Sequence, residues 1–296
     1  MEAPAKPNAK YGKDMLEVLS IPQLRSPILI AAFEGWNDAG ESASGVIDHL
    51  LDQWQAEEIA YFDPENYYDF QVNRPTVRLS ELGTREIEWP TTSFYSISLP
   101  QASRDIVLVR GIEPSMRWRS YVEEFLGYCD DLEIELIVTL GALLSETPHT
   151  RPLHVIGSGS DAEVVNRYSL NVSSYEGPTG IVGALQEACS RLEKKALSLW
   201  VQVPHYVSQP PCPKGSLALI SRLEDLLSID LPLGDLEEES KAWETGVNQL
   251  ASEDAEVASY VSNLEEQQDA TDLPEASGDA IAREFERYLR HRDPGA

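Results

Sequence analysis

Basic residues are scarce in this chain. Twenty-three Lys and Arg stand against fifty Asp and Glu over 296 residues, a formal net charge of -27. A field of that sign repels nucleic acid and anionic membrane surfaces, which are bound through Lys/Arg clusters. Neither is expected as a partner. Cysteine is sparse too: Cys129, Cys189 and Cys212 form no CxxC and no pairing pattern. With no signal-peptide pattern, that usage predicts a reducing compartment, the cytoplasm. Met1 to Lys13 holds prolines and lysines but no apolar centre, so it reads as a ragged terminus. No apolar run approaches the ~20 residues of a membrane span.

The stronger signatures of catalysis are missing as well. There is no Walker loop, nucleophile elbow or HExxH. The five histidines, His49, His149, His154, His205 and His291, never fall two to a helical face, which argues against a zinc site. Gly157-Ser-Gly159-Ser-Asp-Ala162 fits the form G-x-G-x-x-A, but about 20 positions on, around Glu176, another turn begins where a strand should end. An ordinary tight loop is expected there, and neither metal nor cofactor is expected.

What is present is organised around Ile28 to Phe33. Six apolar residues run into Glu34-Gly-Trp-Asn-Asp-Ala-Gly40, and a helical pattern follows from Glu41 to Leu51. This is the pattern of a buried strand, a tight loop and a helix packed back on the sheet. Gly35 and Gly40 supply backbone freedom in the turn. In open α/β sheets ligands lie beyond the carboxyl ends of the strands, so Glu34, Trp36, Asn37 and Asp38 are candidate site residues. The competing reading makes Asp38 an N-cap and Trp36 a packing anchor, and it is the expected one.

Further along, Ile59 to Phe62 predicts a strand. Val77 to Leu79 and Arg85 to Trp89 predict a hairpin with one wet face. Strands are expected over Ser93–Leu99, Asp105–Arg110, Ile134–Leu140, Leu153–Ile156 and Ala196–Val203. Helices are expected from Glu113, with Pro114 in the first turn, from Gly177-Pro-Thr-Gly180 through Cys189, and from Gly215 to Leu227. Strands alternating with helices define an α/β fold with a mostly parallel central sheet flanked by helices. His149 and Arg151 sit just past one buried strand, where an arginine can hold a carboxylate or phosphate bidentately. The alternative is that Arg151 pairs with an acid of the fold and His149 bonds nearby backbone. Glu176 and Thr179 flank a helix start that is either an anion nest or a plain N-terminus.

Composition shifts after Leu233. From Ser221 onward there are 20 Asp/Glu and 6 Lys/Arg, so -14 of the charge lies in the last 76 residues. Trp243, Val247, Leu250, Val257, Val261 and Leu264 predict one amphipathic helix with an acidic outer face. Ile281, Phe285, Tyr288 and Leu289 predict a second, giving an antiparallel helical pair. The expected organisation is an α/β core over 14–233, an acidic helical extension over 234–292, and disordered ends at 1–13 and 293–296.

Gly35-Trp-Asn-Asp-Ala-Gly40, Leu140-Gly-Ala-Leu-Leu144 with Pro148-His-Thr-Arg-Pro152, Tyr175-Glu-Gly-Pro-Thr-Gly-Ile181 and Val203-Pro-His-Tyr206 stand in order along the chain. Together they resemble the actinobacterial branch of the proteasome assembly chaperone family, among relatives of its second chaperone. The resemblance spans roughly 20–292 and includes Leu273 to Ala282 and Glu284 to Leu289. It implies a phosphorylase/hydrolase-like α/β domain and oligomeric relatives, with no catalytic set to carry over. Ring-docking members are associated with a chain end of the form hydrophobic-Tyr-any, whereas this sequence closes Asp293-Pro-Gly-Ala296. The resemblance therefore does not extend to docking by that tail. The expected function is that of a non-catalytic homo-oligomer, most simply a cyclic trimer, with a surface face open to another protein as a further partner. The alternative is a small-molecule binding protein or hydrolase/phosphorylase-like enzyme built on Glu34, Asp38, His149, Arg151 and Glu176.

Overall fold

The computed structural model describes residues 15–80, 83–173, 175–207 and 209–272. A short strand β1 (Leu16–Val18) precedes β2 (Ile28–Glu34), which turns through a 3-10 segment into α1 (Ser42–Gln53). β3 (Glu57–Phe62) and the single turn α2 (Pro64–Tyr67) lead to the hairpin β4 (Thr76–Leu79) and β5 (Arg85–Glu88). β6 (Thr92–Ile97), β7 (Ile106–Ile112), α3 (Trp118–Asp131) and β8 (Leu136–Ser145) follow. Then come β9 (Val155–Gly159), α4 (Ala162–Arg167), α5 (Ile181–Arg191), β10 (Ala196–Pro204) and α6 (Pro213–Leu227). Two further helices, α7 (Leu236–Glu253) and α8 (Ala255–Asp272), end the described chain.

The main sheet has the order β1-β3-β6-β7-β2-β8-β10-β9, and the hairpin forms a separate two-stranded sheet. Its centre, β7-β2-β8-β10, is parallel, and the flanking strands pair antiparallel. β2 sits in the middle because both of its faces are apolar. Ile28, Ile30 and Ala32 join the core under α1 and α6, while Leu29, Ala31 and Phe33 join the core under α3 and α5. Successive side chains of a strand point to opposite faces, so a continuous apolar run can only be buried between two layers. The second core is aromatic: Phe62 stacks on Tyr121 at 4.2 Å, and Phe94 lies against Phe125 and Tyr128. Among the described residues, no helix is long and apolar enough to cross a membrane.

Three local expectations need correction. The helix expected from Glu113 begins at Trp118, because Ser115 N and Met116 N both bond Tyr67 O and tie the preceding segment to α2. Gly157 and Gly159 lie in β9, paired antiparallel with β10, so the G-x-G segment is a sheet edge and not a loop. The single helix expected over 243–264 is two. Asp254 is extended (φ -123, ψ 114), and its carboxylate accepts from Glu256 N at 2.8 Å, capping α8. The helix expected around 281–289 lies outside the described residues, as do both chain ends.

α7 packs on α6 and extends the first core with Leu236, while Val247 and Ala251 are buried on the same helix. Val261 and Leu264 are buried on α8. The acidic extension is thus a cover on the sheet's own helices.

Candidate functional site

β2, β7, β8 and β10 all end at one rim, and the loop after β2 continues the sheet there. Asn37 O accepts from Ala142 N at 2.8 Å, and Asp38 bridges Ala142 in parallel. This pins the loop beside β8 and buries Asn37 and Asp38. Gly35 (φ 118) and Gly40 (φ 62) take the left-handed conformations the turn requires.

Each polar side chain then has a local task. Asp38 Oδ1 accepts from Ala43 N at 2.7 Å, and both of its carboxylate oxygens approach Ser44 N, so it caps α1 across the 3-10 turn. Burial pushes its carboxyl pKa up, and the Ser44 and Ala43 hydrogen bonds pull it back. Glu34 pairs with Arg110, which also grips Asp48 at 2.7 Å. Glu113, at the end of β7, accepts from Asn37 Nδ2 at 2.8 Å and from Ile181 N at 2.7 Å. Its carboxylate occupies the N-terminus of α5, where a bound anion would otherwise sit. Asn37 Oδ1, pressed against Gly180, has no partner among the described residues. Thr179 and Glu176 are exposed on the loop leading to α5.

Trp36 is not the expected anchor: it is 64% exposed. It follows Gly35 on the outer side of the turn while Asn37 and Asp38 take the inner one. Trp36→Ala is therefore expected to change stability by less than about 0.5 kcal/mol. Asp38→Ala should lose about 1 kcal/mol, and Asp38→Asn, which keeps a capping oxygen, should lose little. Urea denaturation of the three variants separates these outcomes. A large loss for Trp36→Ala would contradict the exposed placement.

His149 and Arg151 belong to a second cluster with different partners. His149 is fully buried against Tyr206 and Trp243. Its backbone N donates to the Tyr206 hydroxyl at 2.8 Å, leaving that O–H to donate to Nδ1, also at 2.8 Å. The network closes when Nε2 carries the ring proton and donates to Asn248 Oδ1 at 3.2 Å. Lys214 bonds His149 O and Glu244, while Thr150 reaches Glu265. Arg151 forms a fork on Asp269 at 2.8 and 2.9 Å. These contacts bind the loop after β8 to α7 and α8.

Burial lowers the His149 pKa below its ordinary value, with the Asn248 hydrogen bond opposing. The folded protein thus holds this imidazole neutral more firmly than the unfolded chain does. Stability from this group is fully present above the unfolded value, about pH 6.5, and is lost as pH falls from there toward the folded value. Thermal melts from pH 7.5 to 5 should show the decline, and His149→Gln should flatten it. An identical pH slope in the variant would assign the decline to other groups.

The candidate residues thus divide: Glu34, Asn37 and Asp38 meet at the β2 loop, and His149 and Arg151 under the C-terminal helices. The sequence reading missed Glu113, Arg110, Tyr206 and Asn248 as organisers of the two clusters. Glu113 carried a usable signal, since it stands just past a buried strand beside a proline. A shallow depression of about 560 Å³ lies along α8 between Glu146, Tyr260, Leu264 and Gln267.

A three-layer α/β body with a helical cover, its rim side chains bonded to one another, is the class these features define. The profile of the PAC2 family matches residues 32–251, and the chain belongs to that family. A PAC2 family protein from Streptomyces avermitilis MA is 56% identical over 79% of this chain and 99% of its own, with a TM-score of 0.75. A proteasome-assembly chaperone homologue of Mycobacterium tuberculosis is 46% identical over 79% and 99%, at 0.72. An archaeal proteasome activator from Pyrococcus furiosus shares the fold, at 16% identity over 79% and 97% and a TM-score of 0.62. No curated protein matches the chain.

Proposed function

We propose that this chain is a non-catalytic protein that assembles with itself, most simply as a cyclic trimer, and acts as a docking body in the manner of proteasome assembly chaperones. One observation carries the reading. At the rim where α/β enzymes gather reactive groups, the polar side chains hold the fold: Asp38 caps α1, and Glu113 clamps Asn37 to the start of α5. A general acid or nucleophile needs a group left free to meet substrate. The 46% identity to a proteasome-assembly chaperone homologue supports the same direction.

The test is capture of the tagged full-length protein from native lysate, with mass spectrometry of co-purifying proteins and retained small molecules. Light scattering on the pure protein at micromolar concentration accompanies it. The expected mass is three times 32.9 kDa, with protein partners and no stoichiometric small molecule. A monomer mass counts against assembly. A small molecule retained at one per chain, and lost in Glu113→Ala, would instead favour a ligand-binding role for the rim.

A further inference from the structure

The shallow depression along α8 runs from Tyr260 to Ala270 and takes in Glu146, just past the end of β8. Tyr260, Leu264 and Ala270 give it an apolar strip, and Glu146 and Glu266 stand exposed beside them. Tyr260 is set edge-on to His205 and Tyr206, at 5.7 and 6.0 Å. Arg151 holds the neighbouring Glu265 and Asp269, but Glu146 and Glu266 pair with no Lys or Arg among the described residues. α8 as a whole carries five acids and no basic residue. An open groove along a helix suits an amphipathic helix laid into it. Here that helix must bring cationic groups with its apolar face.

We propose that this chain's own residues 281–292, which lie outside the described residues, dock as a helix in that depression. Charge and apolar pattern both select them. Lys241 is the only Lys or Arg between Arg222 and Arg283. Arg283, Arg287, Arg290 and Arg292 then fall within ten residues that hold two acids, Glu284 and Glu286. An acidic extension thus ends in a net-basic stretch. Ile281, Phe285, Tyr288 and Leu289 recur at i, i+4, i+7 and i+8, one face of a helix, and Arg292 at i+11 falls on that face. The tether fits as well. The depression reaches Ala270, and the described chain ends at Asp272 of the same helix. Residues 273–280 can extend up to about 26–29 Å, more than the roughly 8–10 Å between packed helix axes. Twelve helical residues cover about 18 Å, against about 15 Å from Tyr260 to Ala270. A link this short holds its segment at an effective concentration near millimolar, well above that of a micromolar second copy. The body of such a copy, at -27, is repelled besides. The inference stands apart from the self-assembly reading.

Trypsin reads the proposal directly, because it cuts after arginine. The full chain is digested briefly, and cleavage after Arg283, Arg287 and Arg290 is followed by mass spectrometry. Beside it stand Phe285→Asp, which alters the segment, and the double variant Glu146→Arg, Glu266→Arg, which alters the depression. Both acids are exposed, so the core tolerates their reversal, and circular dichroism verifies folding. Cleavage samples the undocked population, so both variants are expected to be cut about tenfold faster than the parent. The parent's protection should not change on dilution. Either variant cut at the parent's rate overturns the proposal: a faster cut in Phe285→Asp alone, for instance, would place the segment elsewhere. Protection lost on dilution would give the depression to a second copy's segment. Protection that appears only with added lysate proteins would give it to another partner. Each of these two results overturns docking within one chain.

Discussion

Truncation after Leu233 is expected to leave a protein that aggregates. The removed segment carries Leu236, Val247, Val261 and Leu264, all buried. At about 1.5–3 kcal/mol for each buried aliphatic side chain, their loss amounts to roughly 6–12 kcal/mol as an upper estimate. That is comparable to the whole stability of an ordinary domain, about 5–15 kcal/mol. The cut also strips Lys214 of Glu244, His149 of Asn248 and Arg151 of Asp269. A core left with bare apolar surface and unpaired polar groups associates non-specifically. Sedimentation and melting of the truncated chain decide the matter. A soluble product with the parent's melting temperature would mean that α7 and α8 do not hold the core.

Gly180→Ala is expected to be a strongly damaging one-atom addition at the rim. A Cβ there would lie 2.1 Å from Asn37 Oδ1 and 2.6 Å from Asn37 Cγ. The backbone is not the obstacle, since φ -100 and ψ -172 suit alanine. The Asn37 amide cannot swing aside without leaving Glu113, so overpacking of about 1–3 kcal/mol adds to a lost charged hydrogen bond of about 1.5–3 kcal/mol. The two together come to roughly 2.5–6 kcal/mol. In an Asn37→Ala background the same substitution should cost little, and stiffening of the unfolded chain can offset about 0.4–1 kcal/mol. A double-mutant cycle in urea measures the difference. Equal costs in both backgrounds would show that the amide is not what alanine meets.

The fold was legible wherever a periodic pattern had length. β2, β7 and β10 announce themselves as apolar runs, and the hairpin shows as alternation about Gly83. β1 and α2 did not, because three or four residues hold too little pattern to read. The break at Asp254 was hidden because the apolar spacing continues across it, and a capping aspartate looks like any other acid in a charged helix. At the rim, Asp38 was readable as a cap because the residue type and the following helix agree locally. The clamp of Glu113 on Asn37 and Ile181 N was not, since it joins residues 76 and 68 positions apart. Trp36 misled for a related reason: its type favours burial, but the turn geometry aims it outward.

The place of β2 in the sheet also sets a schedule for synthesis. Its partners are β7, beginning at Ile106, and β8, beginning at Leu136. Six consecutive apolar residues therefore emerge from the ribosome about a hundred residues before the second of those partners exists. At roughly 5–20 residues per second, the strand waits about 5–20 s before both of its edges are paired, a vulnerable interval in which a nascent-chain binder would do the work that the sheet later takes over.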